Sequence, residues 1–202
     1  ERVDGATDRM RRAAWPTFDV TQEVFAPRTT PAVVLSDPPL REAGYDEAVR
    51  MAIAEQMEHD DSVWAIGEDI AGRYDGAFGV TRGLSRKFGS LRVLNSPLSE
   101  GAIIGCSVGS ALFGKKPVAE MQFADFLATA FNALVNNAAK IYWRYRKPVP
   151  MVVRLPYGGA AKDSQVLLGG GPFHSQCPES WFVRTPGWKI VAPATPTDAK
   201  GL

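Results

Sequence analysis

The sequence predicts an α/β fold: a mostly parallel sheet with helices on both faces. Three observations carry this. Candidate strands such as Val63-Trp64-Ala65-Ile66 and Met151-Val152-Val153 are short and apolar throughout, the pattern of strands covered on both faces. Between the candidate strands run segments with apolar residues at helical spacing. Strand and helix candidates alternate along the chain, which gives parallel strands joined by helical crossovers.

In chain order, residues 45–58 place Val49, Ala52, Ile53 and Met57 on one helical face. The strand over 63–66 ends at Gly67. Asp75-Gly76 marks a turn, residues 81–88 read as a helix stopped by Gly89, and Arg92-Val93-Leu94 as a strand. Ser96 can cap and Pro97 fits a first helical position, so a helix of small residues is expected over 97–113. Residues 117–121 form the next strand. The longest expected helix spans 125–144, with Leu127, Phe131, Leu134, Val135, Ala138 and Ile141 as its apolar stripe. Met151-Val152-Val153 and Lys189-Ile190-Val191 complete the strands. Ligands of such sheets sit beyond the carboxyl ends of the strands.

The 202 residues are 45% hydrophobic and 22% charged, the composition of a globular domain with a sizeable core. Basic and acidic side chains number 23 and 22, a formal net charge of +1. That balance gives no electrostatic ground for nucleic acid or an anionic membrane as partner. Cys106 and Cys177 form no Cys-x-x-Cys pair and read as free thiols in a reducing compartment. Residues 1–14 are too charged for a signal peptide, and the uncharged run over 101–114 is too short to span a bilayer. The expectation is a soluble, cytoplasmic protein.

Residues 1–40 differ from the rest: Arg28-Thr29-Thr30-Pro31-Ala32 and Ser36-Asp37-Pro38-Pro39 have linker composition. A boundary near Leu40 leaves 41–202 as the domain. There is no initiator Met, and Thr195-Pro196-Thr197-Asp198 opens a helix just before the chain ends at Leu202. The expectation is a fragment or a processed product.

Three segments are candidates for chemistry. Glu100, in Ser96-Pro97-Leu98-Ser99-Glu100-Gly101, lies in the first turn of a helix whose small residues let a flat ring approach; spacing alone equally allows a carboxylate that only complements the helix dipole. Glu68, in Gly67-Glu68-Asp69, follows a strand's carboxyl end, where sites form but where polar residues also simply turn the chain. His174 sits in Gly169-Gly170-Gly171-Pro172-Phe173-His174-Ser175, at the end of a glycine-rich stretch from Gly158 that reads as a mobile loop closing over a site. That stretch matches neither a phosphate loop nor a dinucleotide fingerprint. His59, at a charged helix end, reads as solvated. No His/Cys cluster has metal-ligand spacing.

Several motifs, in order from about Tyr45 to Leu202, resemble the β subunit of the first component of thiamine-diphosphate-dependent 2-oxo acid dehydrogenases. They are Gly67-Glu68-Asp69, Asp75-Gly76-Ala77-Phe78-Gly79-Val80-Thr81-Arg82-Gly83-Leu84 and Asn95-Ser96-Pro97-Leu98-Ser99-Glu100. Glu120-Met121-Gln122-Phe123-Ala124-Asp125-Phe126, Phe173-His174-Ser175-Gln176 and the segment from Pro193 to Leu202 belong with them. Gln-Phe-Ala-Asp-Phe and His-Ser-Gln-Cys-Pro-Glu tilt the resemblance toward the branched-chain type over the pyruvate type. Val24-Phe25-Ala26-Pro27 resembles the tail of the family's α subunit, which makes 1–40 a linker and the tail of a preceding α-like region in a fused chain.

The resemblance implies a thiamine-diphosphate-binding fold of the pyrimidine-binding type over 41–202, with a C-terminal domain missing. It implies that Glu100 hydrogen-bonds and exchanges a proton with a nitrogen of the cofactor's aminopyrimidine, and that Phe126 packs on that ring. His174 is implied to lie near the thiazolium and the incoming lipoyl group, and Glu68 to belong to a proton path between paired sites. The implied reaction is oxidative decarboxylation of a 2-oxo acid with acyl transfer to lipoyl groups. Mg2+ is implied to be held by the partner α region, through a Gly-Asp-Gly…Asn-Asn motif; Val3-Asp4-Gly5 and Asn136-Asn137 echo its halves in the wrong contexts, so no metal site is expected here. The implied partners are an α-type diphosphate-binding domain, a lipoyl-bearing acyltransferase component and a second β-type domain, in a heterotetramer. Two alternatives stand beside this reading: a non-catalytic assembly domain of the same fold, and another thiamine enzyme of transketolase-like type.

Overall fold

The computed structural model describes residues 43–158 and 171–202. The expectations for 1–40, and for the glycine-rich stretch over 159–170, lie outside the described residues. The elements are α1 (Tyr45–His59), β1 (Val63–Gly67), α2 (Leu84–Phe88), β2 (Val93–Asn95), α3 (Glu100–Leu112) and β3 (Lys116–Glu120). A 3-10 helix (Ala124–Ala130), a π-helix (Ala133–Ala138), α4 (Ala139–Tyr145) and β4 (Val152–Arg154) follow. After a 3-10 turn (Gly171–Phe173) come two short helices, α5 (Ser180–Val183) and α6 (Pro196–Gly201).

The four strands form one sheet in the order β2-β1-β3-β4, and every neighbouring pair is parallel. Successive side chains of a strand point to opposite faces, and each face has its own core. Val63 and Ala65 of β1 and Val93 of β2 pack with Ile53 and Met57 of α1 and Leu84 of α2. Ile66 of β1 and Ala119 of β3 join Ile103, Ile104 and Val108 of α3, with Leu127 and Leu134 beyond β3. Met57, Ile103, Ile104, Met121, Leu127 and Leu134 are fully buried, each such side chain contributing about 1.5–3 kcal/mol. The α/β sheet with helices on both faces is the one expected.

Gly67 ends β1 because nothing larger fits. A Cβ there would lie 2.8 Å from the Glu120 carbonyl oxygen and 2.9 Å from Ile70 Cγ2. Asp75 and Gly76 both hold left-handed backbone, with φ of 53° and 85°, between turns at 72–73 and 77–78. At the chain's end, α6 opens on a complete capping box between Thr195 and Asp198, and Lys200 reaches Glu55 of α1 at 3.0 Å.

Four expectations need correction. The helix expected over 97–113 starts only at Glu100, after Ser99 at the N-cap: the Ser96 N–H donates to Gly67 O at 2.8 Å, so the chain is still extended there and Ser96 cannot cap. The helix expected from residue 81 starts at Leu84, because Gly83 holds a left-handed φ of 79° at its N-cap. The long helix over 125–144 is three segments. Ala124, Leu127 and Ala130 are buried at every third position, the repeat of a 3-10 helix; burial then steps by four from Leu134 to Ala138, and Phe131 falls off the stripe to half-exposure. Lys189-Ile190-Val191 forms no strand. It spans between two anchors instead: Trp188 Nε1 donates to Leu134 O at 3.3 Å, and Pro193 O accepts from the Tyr45 hydroxyl at 3.0 Å.

Candidate active site

The chain leaves β1 for β2 on one side and goes on to β3 on the other. The carboxyl ends of β1 and β3 therefore flank the switch point, where an open parallel sheet has its crevice. At those ends stand Glu68 and Glu120. Both are buried, 3% exposed each, but their surroundings differ. Arg154 at the end of β4 donates Nε to Glu120 Oε2 at 2.9 Å and places Nη2 2.7 Å from Oε1, which neutralises that acid.

Among the described residues Glu68 has no such partner: neither carboxylate oxygen has a hydrogen bond of good geometry, and the Ser99 amide is the donor that acts on it. Burial raises its pKa above the ordinary carboxylate value, and the charge of Glu100 raises it further. The nearby Ser99 amide opposes the shift and Asp69 adds to it. The backbone beside Glu68 is held firmly. Asp69 O accepts from the Gly76 N–H at 2.8 Å. The Asn95 side chain accepts from the Ala71 N–H at 2.8 Å and donates to Ala71 O at 3.1 Å.

Glu100 is the first residue of α3 and is half-buried. The Thr129 hydroxyl lies 3.1 Å from its Oε2 and 2.9 Å from Phe126 O; it carries one proton and serves one acceptor at a time. Beyond Glu100, α3 exposes Gly101, Ala102, Gly105 and Cys106. A Cβ at Gly105 would meet nothing within 4 Å, so a flat group can approach this face.

Phe126 sits in an aromatic cluster. Its ring meets that of His174 edge-on at 5.2 Å and that of Phe123 at 5.7 Å. Phe123 lies 4.6 Å from the His174 ring and 5.5 Å from Phe78. His174 Nδ1 is buried without a partner, whereas His59 is exposed.

All four residues singled out from the sequence fall on one path. Charge links Glu68 to Glu100, the Thr129 hydroxyl lies within reach of both Glu100 and the Phe126 carbonyl, and ring contact joins Phe126 to His174. Thr129 escaped the sequence reading because a threonine inside an expected α-helix carries no signal of its own. Phe123 and Phe78 lie inside the family-like motifs, where a phenylalanine reads equally well as core. Cys106 and Cys177 are free and exposed. Among the described residues, no group of three or more His, Cys, Asp or Glu could hold a metal ion, and no helix is long and apolar enough to cross a membrane.

A doubly covered parallel sheet with acids beyond its carboxyl ends and an aromatic cluster beside them defines an α/β domain of the kind that takes ligands at that edge. Residues 41–202 match the family described as transketolase, pyrimidine binding domain, and the chain belongs to that family. It is 46% identical over 160 residues to the 2-oxoisovalerate dehydrogenase subunit beta of Bacillus subtilis (strain 168), covering 78% of this chain and 46% of the relative. It is 44% identical over 158 residues to the pyruvate dehydrogenase E1 component subunit beta of Acholeplasma laidlawii (77% and 46%). The mitochondrial counterpart from Rattus norvegicus is 39% identical over 158 residues (77% and 42%). The matches thus span less than half the length of these relatives.

Proposed function

We propose that the complete protein is a thiamine-diphosphate-dependent 2-oxo acid dehydrogenase, and that this chain supplies the half of the site that receives the cofactor's aminopyrimidine. It decarboxylates a 2-oxo acid oxidatively and passes the acyl group to lipoyl groups of a second component. The observation that carries this is the placement of Glu100: a half-buried carboxylate at the start of α3, oriented by Thr129, beside an open small-residue face and an aromatic wall. Family membership and the printed names of the relatives support the same reading.

The residues fit the group. An aminopyrimidine is flat and carries ring nitrogens; it needs an acid at its edge and apolar surface at its faces, and Glu100, the α3 glycines and Phe126 offer these. When bound, thiamine diphosphate supplies the carbanion chemistry at its thiazolium carbon. Glu100 holds and returns a proton at its carboxylate, and Thr129 keeps Oε2 aimed. Phe126 and Phe123 exclude water and wall the pocket. His174 serves as the acid–base group on the side where the lipoyl group arrives. Glu68, its charged form disfavoured by burial and by Glu100, belongs to a proton path toward a paired site.

The remaining parts belong to the same proposal. An α-type domain binds the diphosphate and Mg2+, a lipoyl-bearing acyltransferase takes the acyl group, and a second β-type domain completes a heterotetramer. The location is cytoplasmic, in keeping with two exposed free thiols. Of the two substrate classes in the relatives' names, the branched-chain 2-oxo acid is the one proposed, on the Gln-Phe-Ala-Asp-Phe segment. The test is 2-oxo-acid-dependent release of carbon dioxide by the complete enzyme with thiamine diphosphate and Mg2+. Turnover of 2-oxoisovalerate ahead of pyruvate is expected. Dependence on no 2-oxo acid at all would overturn the proposal.

A further inference from the structure

His174 sits outside the sheet, just after a three-residue 3-10 turn, Gly171–Phe173. Its own amide donates to Gly171 O at 3.2 Å, a bond within the turn that fixes nothing to the body of the domain. Among the described residues, the polar tie nearest to His174 that reaches the domain is two residues on: the Gln176 N–H donates to Asp125 Oδ1 at 3.3 Å. Asp125 adjoins Phe126, the residue whose ring meets the His174 ring. The other oxygen of Asp125, Oδ2, is buried without a partner, so that edge of the carboxylate is turned away from solvent. His174 Nδ1 and Ser175 Oγ are likewise buried and unpartnered.

From this geometry we infer that Asp125 is a positioning residue for His174. By accepting the Gln176 N–H it clamps the 174–176 segment to the 3-10 helix that carries Phe126, and so sets the His174 ring against the aromatic wall. The inference rests on the reading that His174 serves the site. A plainer role exists for an acid at this position, since Asp125 lies in the first turn of the 3-10 helix and can complement its dipole. The two roles separate on substitution: Asp125→Asn removes the charge but keeps a carbonyl oxygen at the same reach, whereas Asp125→Ala removes both.

The experiment uses the complete enzyme, with hydrogen–deuterium exchange of the peptide over 171–178 as the first readout. Losing a charge-assisted hydrogen bond shifts a local opening equilibrium by about tenfold or more. Asp125→Ala is expected to speed exchange in that peptide by that factor, and Asp125→Asn to restore most of the protection, while a peptide from α1 stays unchanged in both. Asp125→Ser, too short to reach the Gln176 amide, carries the expectation of the Ala variant where the Ala enzyme does not assemble. The second readout is kinetic. Turnover of the Ala or Ser enzyme is expected to fall by a similar factor, about tenfold, with the half-saturating cofactor concentration little changed because Glu100 is untouched.

Unchanged exchange in the Ala and Ser variants overturns the inference, and so does an Asn variant as loose as Ala. Faster exchange with undiminished turnover also overturns it. His174→Asn is run alongside: if it keeps full turnover, the reading of the site falls and the inference with it. If it loses turnover while Asp125→Ala does not, the inference alone falls.

Discussion

The charge of Glu100, at the start of α3, acts on the buried carboxyl of Glu68, at the end of β1, and together with burial raises the Glu68 pKa. Two acids on different elements thus lie close enough for the charge of one to act on the other. Glu100 has the Thr129 hydroxyl within reach, whereas among the described residues neither Glu68 oxygen has a well-formed hydrogen bond, the Ser99 amide acting on it only weakly against burial. An acid whose charged form is disfavoured by burial and by a neighbouring carboxylate is suited to holding a proton.

The Glu68 environment gives a prediction for stability. A carboxyl whose pKa is higher folded than unfolded stabilises the fold below the unfolded value, and that contribution is lost as pH rises through the folded value. Above the ordinary 4.5, the native protein must ionise a buried, unpartnered group or hold its proton against the solvent. Glu68→Gln is uncharged at every pH. Its melting temperature is expected to match that of the wild type below about pH 4 and to exceed it near neutrality, by about 2 °C or more. Equal melting temperatures at pH 7 would contradict the description of Glu68.

Gly67→Ala tests the close approach of β1 to β3. The added methyl would meet the Glu120 carbonyl oxygen at 2.8 Å, and backbone cannot swing aside as a side-chain tip can. Overpacking of this kind costs about 1–3 kcal/mol. The expected result is a drop in melting temperature of about 2–4 °C per kcal/mol. A drop of less than about 2 °C would mean that the strand ends are looser than described.

Thr129→Val keeps the shape of the side chain and removes the hydroxyl that reaches Glu100 Oε2 and Phe126 O. Turnover of the complete enzyme is expected to fall by about tenfold, the worth of one hydrogen bond to a charged group, with the fold intact by circular dichroism. Unaltered turnover would show that Glu100 needs no help from Thr129.

Most of the fold was legible because short apolar strands and helical stripes are local patterns. The two faces of β1, Val63 and Ala65 against Trp64 and Ile66, follow from strand periodicity alone. The break in the long helix was less so. Ala124, Leu127 and Ala130 do repeat at three, but Phe131 and Leu134 extend an equally good α-helical stripe; what decides is that Phe131 meets Trp181 and Phe182, residues about fifty positions later in the chain. Lys189-Ile190-Val191 reads as a strand by composition, yet a strand needs a ladder partner, and partners are not written locally. Glu100, Glu68, Phe126 and His174 were visible through motifs. Thr129 and the Asp125–Gln176 tie were not, since both depend on segments brought together only by folding.

The central claim is that Glu100 works as a proton-exchanging group toward the cofactor, and Glu100→Gln in the complete enzyme tests it most directly. The amide keeps the shape and the ability to hydrogen-bond Thr129 but cannot exchange the proton. Loss of general acid–base help lowers rates by about 10²–10⁴, so the steady-state rate is expected to fall at least a hundredfold, with assembly and melting temperature preserved. A carboxylate that only complemented the α3 dipole would instead cost about 1 kcal/mol of stability or less and leave turnover near normal. A Gln enzyme turning over within about threefold of wild type, well short of that range, would contradict the account.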